Sequence, residues 1–60
     1  MELLQRIEKY LKRSGTPPTR FGREAVHDPR FVLDLRNGRE PGRAIARRVN
    51  AFIDRQGAGE

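Results

Sequence analysis

The chain has 60 residues, enough for one small domain, and no cysteine, which excludes disulfide bonds and a thiolate zinc site. Thirteen Lys and Arg face eight Asp and Glu, giving a net charge of +5, and eleven of the basic residues are arginine. This balance indicates an anionic partner, with nucleic acid ahead of membrane, although a solvated arginine-rich surface gives the same composition.

The first predicted helix spans residues 2–13. Its apolar side chains recur at helical spacing, at Leu3, Leu4, Ile7, Tyr10 and Leu11. Ser14-Gly15 is expected to end this helix. The segment has charges inside its apolar pattern and no cleavage signal, and no apolar run reaches the roughly 20 residues that cross a bilayer. We therefore expect a cytoplasmic, nucleoid-associated protein without a membrane partner.

The second predicted helix spans residues 17–26, with Thr16 as its capping residue and prolines in its first turn. Phe21 and Ala25 lie four residues apart and share one face. Gly22, in mid-helix, costs about 1 kcal/mol relative to alanine, and the close approach of another helix would explain it. The alternative for this segment is an irregular loop rich in Pro and Gly.

The third predicted helix, residues 29–37, is marked by signals at both ends. Asp28 can accept a hydrogen bond from a free backbone N–H, and Pro29 fits the first turn. Gly38 can take the left-handed conformation that ends a helix, and Pro41 keeps the helix from resuming. Val32 and Leu35 then face inward.

The fourth predicted helix spans residues 43–55. Its apolar stripe consists of Ile45, Val49, Phe52 and Ile53. Nothing alternates with a period of two, so we predict an all-α fold, a compact four-helix bundle with a central helix-turn-helix. Residues 1–56 form the domain, and 57–60 are expected to be a flexible tail. A homodimer paired through helix 43–55 is a further expectation, with Phe52 or Ile53 left exposed for the partner.

The stretch TPPTRFGREAVHDPRFVLDLRNGREP resembles the phage repressor and Cro-like (lambda-repressor-like) helix-turn-helix DNA-binding family. The resemblance rests on the apolar-small pair Phe21 and Ala25, on the pair Val32 and Leu35, and on the closing turn 36–41. With the flanking helices it covers residues 2–55. The chain departs from the family by having Phe-Gly in place of Leu-Ala, and by lacking the usual turn glycine near His27.

In a helix-turn-helix, two short helices are joined by a tight turn, and the second helix lies in the DNA major groove. We therefore expect a transcription regulator that binds double-stranded DNA sequence-specifically, with helix 29–37 contacting bases. The expected base-contacting residues are Arg30, Leu33, Asp34 and Asn37, which suit guanine, a thymine methyl, cytosine N4, and adenine or a phosphate, respectively. The expected phosphate-binding residues are Thr19, Arg20, Arg23, Arg36, Arg39 and Arg43. Alternatively, Asp34 pairs with Arg30 four residues earlier, and Asn37 merely ends the helix.

Two other functions remain open. Asp34 on the expected base-contacting face repels phosphate, which favours a protein-interaction adaptor such as an RNA polymerase coactivator or an antitoxin-like subunit. Sequence-neutral, nucleoid-type DNA binding is the second alternative. An enzyme, a metal site or a cofactor is not expected, because His27 is the only imidazole and no nucleophile pattern accompanies it.

Overall fold

The computed structural model describes residues 2–56, and over that range the chain forms four α-helices and no β-strand. The helices are α1 (Glu2–Ser14), α2 (Pro18–Val26), α3 (Phe31–Arg36) and α4 (Arg43–Arg55). The predicted all-α class and the order of the four helices are confirmed. The expected flexible tail, 57–60, lies outside the described residues. Within 2–56, no helix is long and apolar enough to cross a membrane.

The start of α3 differs from the prediction, because Pro29 and Arg30 belong to the preceding turn. The Asp28 carboxylate accepts a hydrogen bond from the backbone N–H of Arg30 at 3.0 Å, and the Asp28 carbonyl accepts one from Phe31 at 3.1 Å. Asp28 therefore accepts a hydrogen bond from a free backbone N–H as expected, but this bond closes the turn before α3 and does not cap the helix. The helix begins two residues later than residue 29 and ends one residue before Asn37.

The end of α3 follows the sequence signal closely. Gly38 adopts a left-handed conformation with φ of +98°. Its N–H donates to the Leu35 carbonyl at 3.0 Å, and the Arg39 N–H donates to the Asp34 carbonyl at 3.0 Å. This pair of bonds is the Schellman arrangement, which satisfies carbonyls left free at a helix end. The turn brings Arg39 back alongside α3.

The predicted cap of α2 is wrong. Pro17 occupies the N-cap position, and no side chain caps this helix. The Thr16 hydroxyl instead hydrogen-bonds the Ser14 hydroxyl at 2.8 Å, so it bridges the two ends of the α1–α2 connection. The helix begins without it because proline needs no partner for its missing N–H.

The turn from α2 to α3 presses against Gly22. His27 is left-handed, with φ of 58°. The backbone N–H of Asp28 donates to the Gly22 carbonyl at 3.1 Å. A Cβ at Gly22 would overlap the Asp28 carbonyl oxygen and lie 3.2 Å from the Phe31 Cβ. The predicted close approach at Gly22 is therefore real, and it is made by the turn and the first residue of α3.

The four helices enclose a single apolar core. Its buried side chains are Ile7, Tyr10, Leu11, Phe21, Ala25, Phe31, Val32, Leu35, Val49, Phe52 and Ile53. Three rings from three helices meet there: the Phe21 centroid lies 5.6 Å from that of Tyr10 and 5.5 Å from that of Phe52. Phe52 is 8% exposed and Ile53 is fully buried, so the prediction that one of them stays free for a partner is wrong.

Candidate nucleic-acid interface

The solvent side of α3 and the two residues that flank the helix supply three of the four side chains expected to contact bases. Leu33 is 42% exposed and is the only large apolar side chain exposed among residues 2–56. Arg30 and Asn37 flank α3 at its two ends, as its N-cap and C-cap residues, while Leu33 lies on its solvent side, away from the buried Val32 and Leu35. The Arg30 and Asn37 side chains are exposed and have no partner within the described chain. They are free to meet a ligand.

The Asp34 carboxylate is already engaged. Its Oδ2 accepts a hydrogen bond from Arg39 Nη1 at 2.9 Å, and the same guanidinium lies 3.7 Å from the Asp28 carboxylate. The alternative pairing of Asp34 with Arg30 is therefore wrong: its partner is Arg39, which the Gly38 turn brings within reach. Arg39 links the turns at both ends of α3, and its expected binding to phosphate would compete with two carboxylates.

The Arg36 guanidinium binds α1. Nε and Nη2 donate to the two oxygens of Glu8, each at 2.7 Å, in a bidentate ion pair. The hydrogen bond from Arg36 lowers the pKa of the Glu8 carboxyl, and the same bond raises the pKa of Arg36. Arg36 thus connects α3 to α1 and would have to leave Glu8 to contact a phosphate.

The remaining expected phosphate contacts divide into paired and unpaired side chains. Arg20 is paired with Glu24 at 3.0 Å along α2. Thr19, Arg23 and Arg43 are exposed, and none of their side chains has a partner within residues 2–56. Arg23 and Arg43, together with Arg30 of the turn, are the expected DNA contacts whose charge no carboxylate of the described chain neutralises.

The positive charge lies mainly away from α3. The segment 27–42, which is α3 with its two flanking turns, balances three arginines with three carboxylates, those of Asp28, Asp34 and Glu40. By contrast, α4 has four arginines and only one acid, Asp54. Sequence reasoning missed this contrast, although the spacing of Arg47, Arg48 and Arg55 was a visible signal. We call Arg43, Arg47, Arg48 and Arg55 the α4 arginine face.

No group of three or more His, Asp or Glu side chains in the described part of the chain is placed to hold a metal ion. Comparison of the chain with protein-family models, with curated proteins and with solved structures found no match. The likeness to the phage repressor and Cro-like family therefore rests on the residues quoted above, and it stays a prediction.

Proposed function

We propose that this protein is a transcription regulator that binds double-stranded DNA with sequence preference through the solvent face of α3. The observation that carries the proposal is the exposure of Leu33 between the unpaired side chains of Arg30 and Asn37. An exposed leucine flanked by hydrogen-bonding groups matches the edge of base pairs in the major groove, where a thymine methyl lies beside donors and acceptors.

Each of the three side chains has a distinct role in this proposal. Arg30 donates two hydrogen bonds to guanine O6 and N7, Leu33 packs on a thymine methyl, and Asn37 bonds adenine or a phosphate. Asp34 positions Arg39 and orders the exit turn, because its carboxylate is held at 2.9 Å. The Asp34 carboxylate can accept a hydrogen bond from cytosine N4 only while it also accepts the one from Arg39.

Selection from a randomised duplex pool, followed by fluorescence anisotropy on the selected site, tests the proposal. Arg30→Ala should weaken binding to the selected site by about 1–3 kcal/mol and relax the base preference at one position. Arg13→Ala removes the same charge from an exposed residue of α1 and serves as the control; it should leave the preference unchanged. A pool that yields no preferred sequence would contradict sequence-specific binding.

A protein-interaction adaptor is the second candidate, and the charge balance of the segment 27–42 favours it. A neutral surface with one exposed leucine suits a protein partner as well as a base edge, because a few well-packed side chains carry most of the affinity at a protein interface. Leu33→Ser discriminates between the two functions. Loss of a stoichiometric protein partner with unchanged duplex affinity supports the adaptor, whereas weaker binding of the selected duplex supports the regulator.

A further inference from the structure

The outer surface of α4 presents a row of cations, of which the α3 site is expected to use only Arg43. All four residues of the α4 arginine face are exposed, and none has a partner within residues 2–56. The opposite side of the helix is buried through Val49, Phe52 and Ile53. The orientation of α4 is thus set by the core, and the arginines are held on its solvent side.

No carboxylate in the described chain forms an ion pair with an arginine of this face. The one carboxylate of α4, Asp54, accepts a hydrogen bond from Arg6 of α1 at 2.6 Å. Elsewhere arginines do meet carboxylates: Arg20 binds Glu24, and Arg36 binds Glu8. Four arginines and one acid leave α4 with a formal charge of +3, whereas the net formal charge of the segment 27–42 is zero. Formal positive charge is therefore more concentrated on α4 than on the segment 27–42.

The spacing of the arginines suits an extended anion. Arg43 and Arg47 lie four residues apart in one row, and Arg48 and Arg55 lie seven apart in another. Between the rows are Ala44 and Ala51, both exposed and too short to keep a ligand away from the helix. From residue 43 to residue 55 the helix rises about 18 Å, and several phosphates of one strand fall within that length.

We infer that the α4 arginine face binds the phosphate backbone of double-stranded nucleic acid independently of sequence, at a surface separate from α3. An anionic membrane fits less well, because interfacial helices bury large apolar side chains and this face has only alanines. Single strands fit less well too. They stack on exposed rings, and the four aromatic residues, Tyr10, Phe21, Phe31 and Phe52, are all buried.

The salt dependence of binding to a random-sequence duplex tests this inference. The double variant Arg47→Gln/Arg48→Gln should lower the slope of log K against log salt by about 1.8, since each lost phosphate contact removes about 0.9. The double variant Lys9→Gln/Lys12→Gln removes the same charge from exposed residues of α1 and is the matched control. Its slope should stay that of the parent. Far-UV circular dichroism verifies that both variants keep their helices.

Three outcomes would overturn the inference. Equal slopes for the two double variants would mean that net charge alone drives binding. Tighter binding to phosphatidylglycerol vesicles than to the duplex would assign α4 to a membrane. Loss of base preference in the α4 variant would place α4 in the sequence-dependent contact. Because the random duplex needs no base contact from α3, a protein without sequence preference that still shows the α4-dependent slope would contradict the proposed function and support this inference.

Discussion

Gly22 lies where the turn between α2 and α3 passes against α2. Alanine there would gain about 1 kcal/mol of helix propensity, but its Cβ would overlap the Asp28 carbonyl oxygen, which is backbone and cannot rotate away. Overpacking of this kind costs about 1–3 kcal/mol, so we expect Gly22→Ala to destabilise the protein. Urea unfolding followed by circular dichroism measures the free energy of unfolding.

Gly42→Ala is the control for Gly22→Ala. Gly42 occupies the N-cap of α4 at a negative φ, and a Cβ there meets nothing within 4 Å. Alanine is a poorer N-cap than glycine by roughly 0.5–1 kcal/mol, but it also reduces the entropy of the unfolded chain by a comparable amount, so Gly42→Ala should change the free energy of unfolding less than Gly22→Ala does. A Gly22→Ala protein more stable than the parent would show that the turn does not approach α2 this closely.

His27 is the only non-glycine residue with a positive φ among residues 2–56. The left-handed conformation costs an ordinary residue about 1–2 kcal/mol. Glycine avoids that cost, and its larger loss of conformational entropy on folding offsets only part of the gain. We expect His27→Gly to raise the melting temperature. His27→Ala removes the imidazole and keeps the Cβ, so it should not. If both variants melted higher, the imidazole rather than the backbone would be the destabilising element.

At the scale of elements, the Glu8–Arg36 pair connects α1 to α3 and makes that connection dependent on pH. Because the folded pKa of Glu8 lies below the usual carboxyl value, its stabilisation is complete above the unfolded pKa, about 4.3, and is lost as pH falls through the folded value. Glu8→Gln should therefore be less stable than the parent at pH 7, and the difference should shrink in acid.

Arg36→Gln provides the matching half of this comparison. It removes the same two hydrogen bonds from the α3 side, so its stability difference from the parent should decrease over the same acidic range. The double variant should lose little more than either single one, because both changes remove one interaction. Additive losses would show that each side chain stabilises the protein through a different partner.

Most helix boundaries could be predicted because their signals are local. Gly15 and Gly38 both have positive φ, as expected of glycines that end helices, and α4 occupies the predicted range. The start of α3 could not be placed as well. An Asp-Pro pair serves a helix N-terminus and a turn equally, and here the Asp28 carboxylate closes the turn on Arg30.

The contacts of the candidate site were harder to predict than the helices. The face of α3 follows from its spacing, so Leu33 and Asn37 were placed correctly on its solvent side. Ion pairing depends instead on how separate elements meet. Arg36 finds Glu8 at a distance of 28 residues in sequence, and Asp34 finds Arg39 only because the chain reverses at Gly38. No spacing rule within one helix indicates either pair.

At the scale of the whole molecule, α4 offers little surface for a second copy. Phe52 and Ile53 are buried, and the outer side of the helix carries the α4 arginine face, which would repel its own copy. We expect the protein to sediment as a monomer without DNA, and as two copies on a duplex with two half-sites about one helical turn apart. A stable dimer without DNA would contradict this expectation.

The ring cluster of Tyr10, Phe21 and Phe52 also determines what an optical probe can detect. The chain has one tyrosine and no tryptophan, so its near-ultraviolet dichroism comes largely from a phenol packed against rings of α2 and α4. Phe31 of α3 is not among the rings in contact with it. That signal therefore reports most directly on the packing of α1, α2 and α4. If α3 unfolded first while these three rings stayed in contact, the far-ultraviolet signal would fall before the tyrosine band.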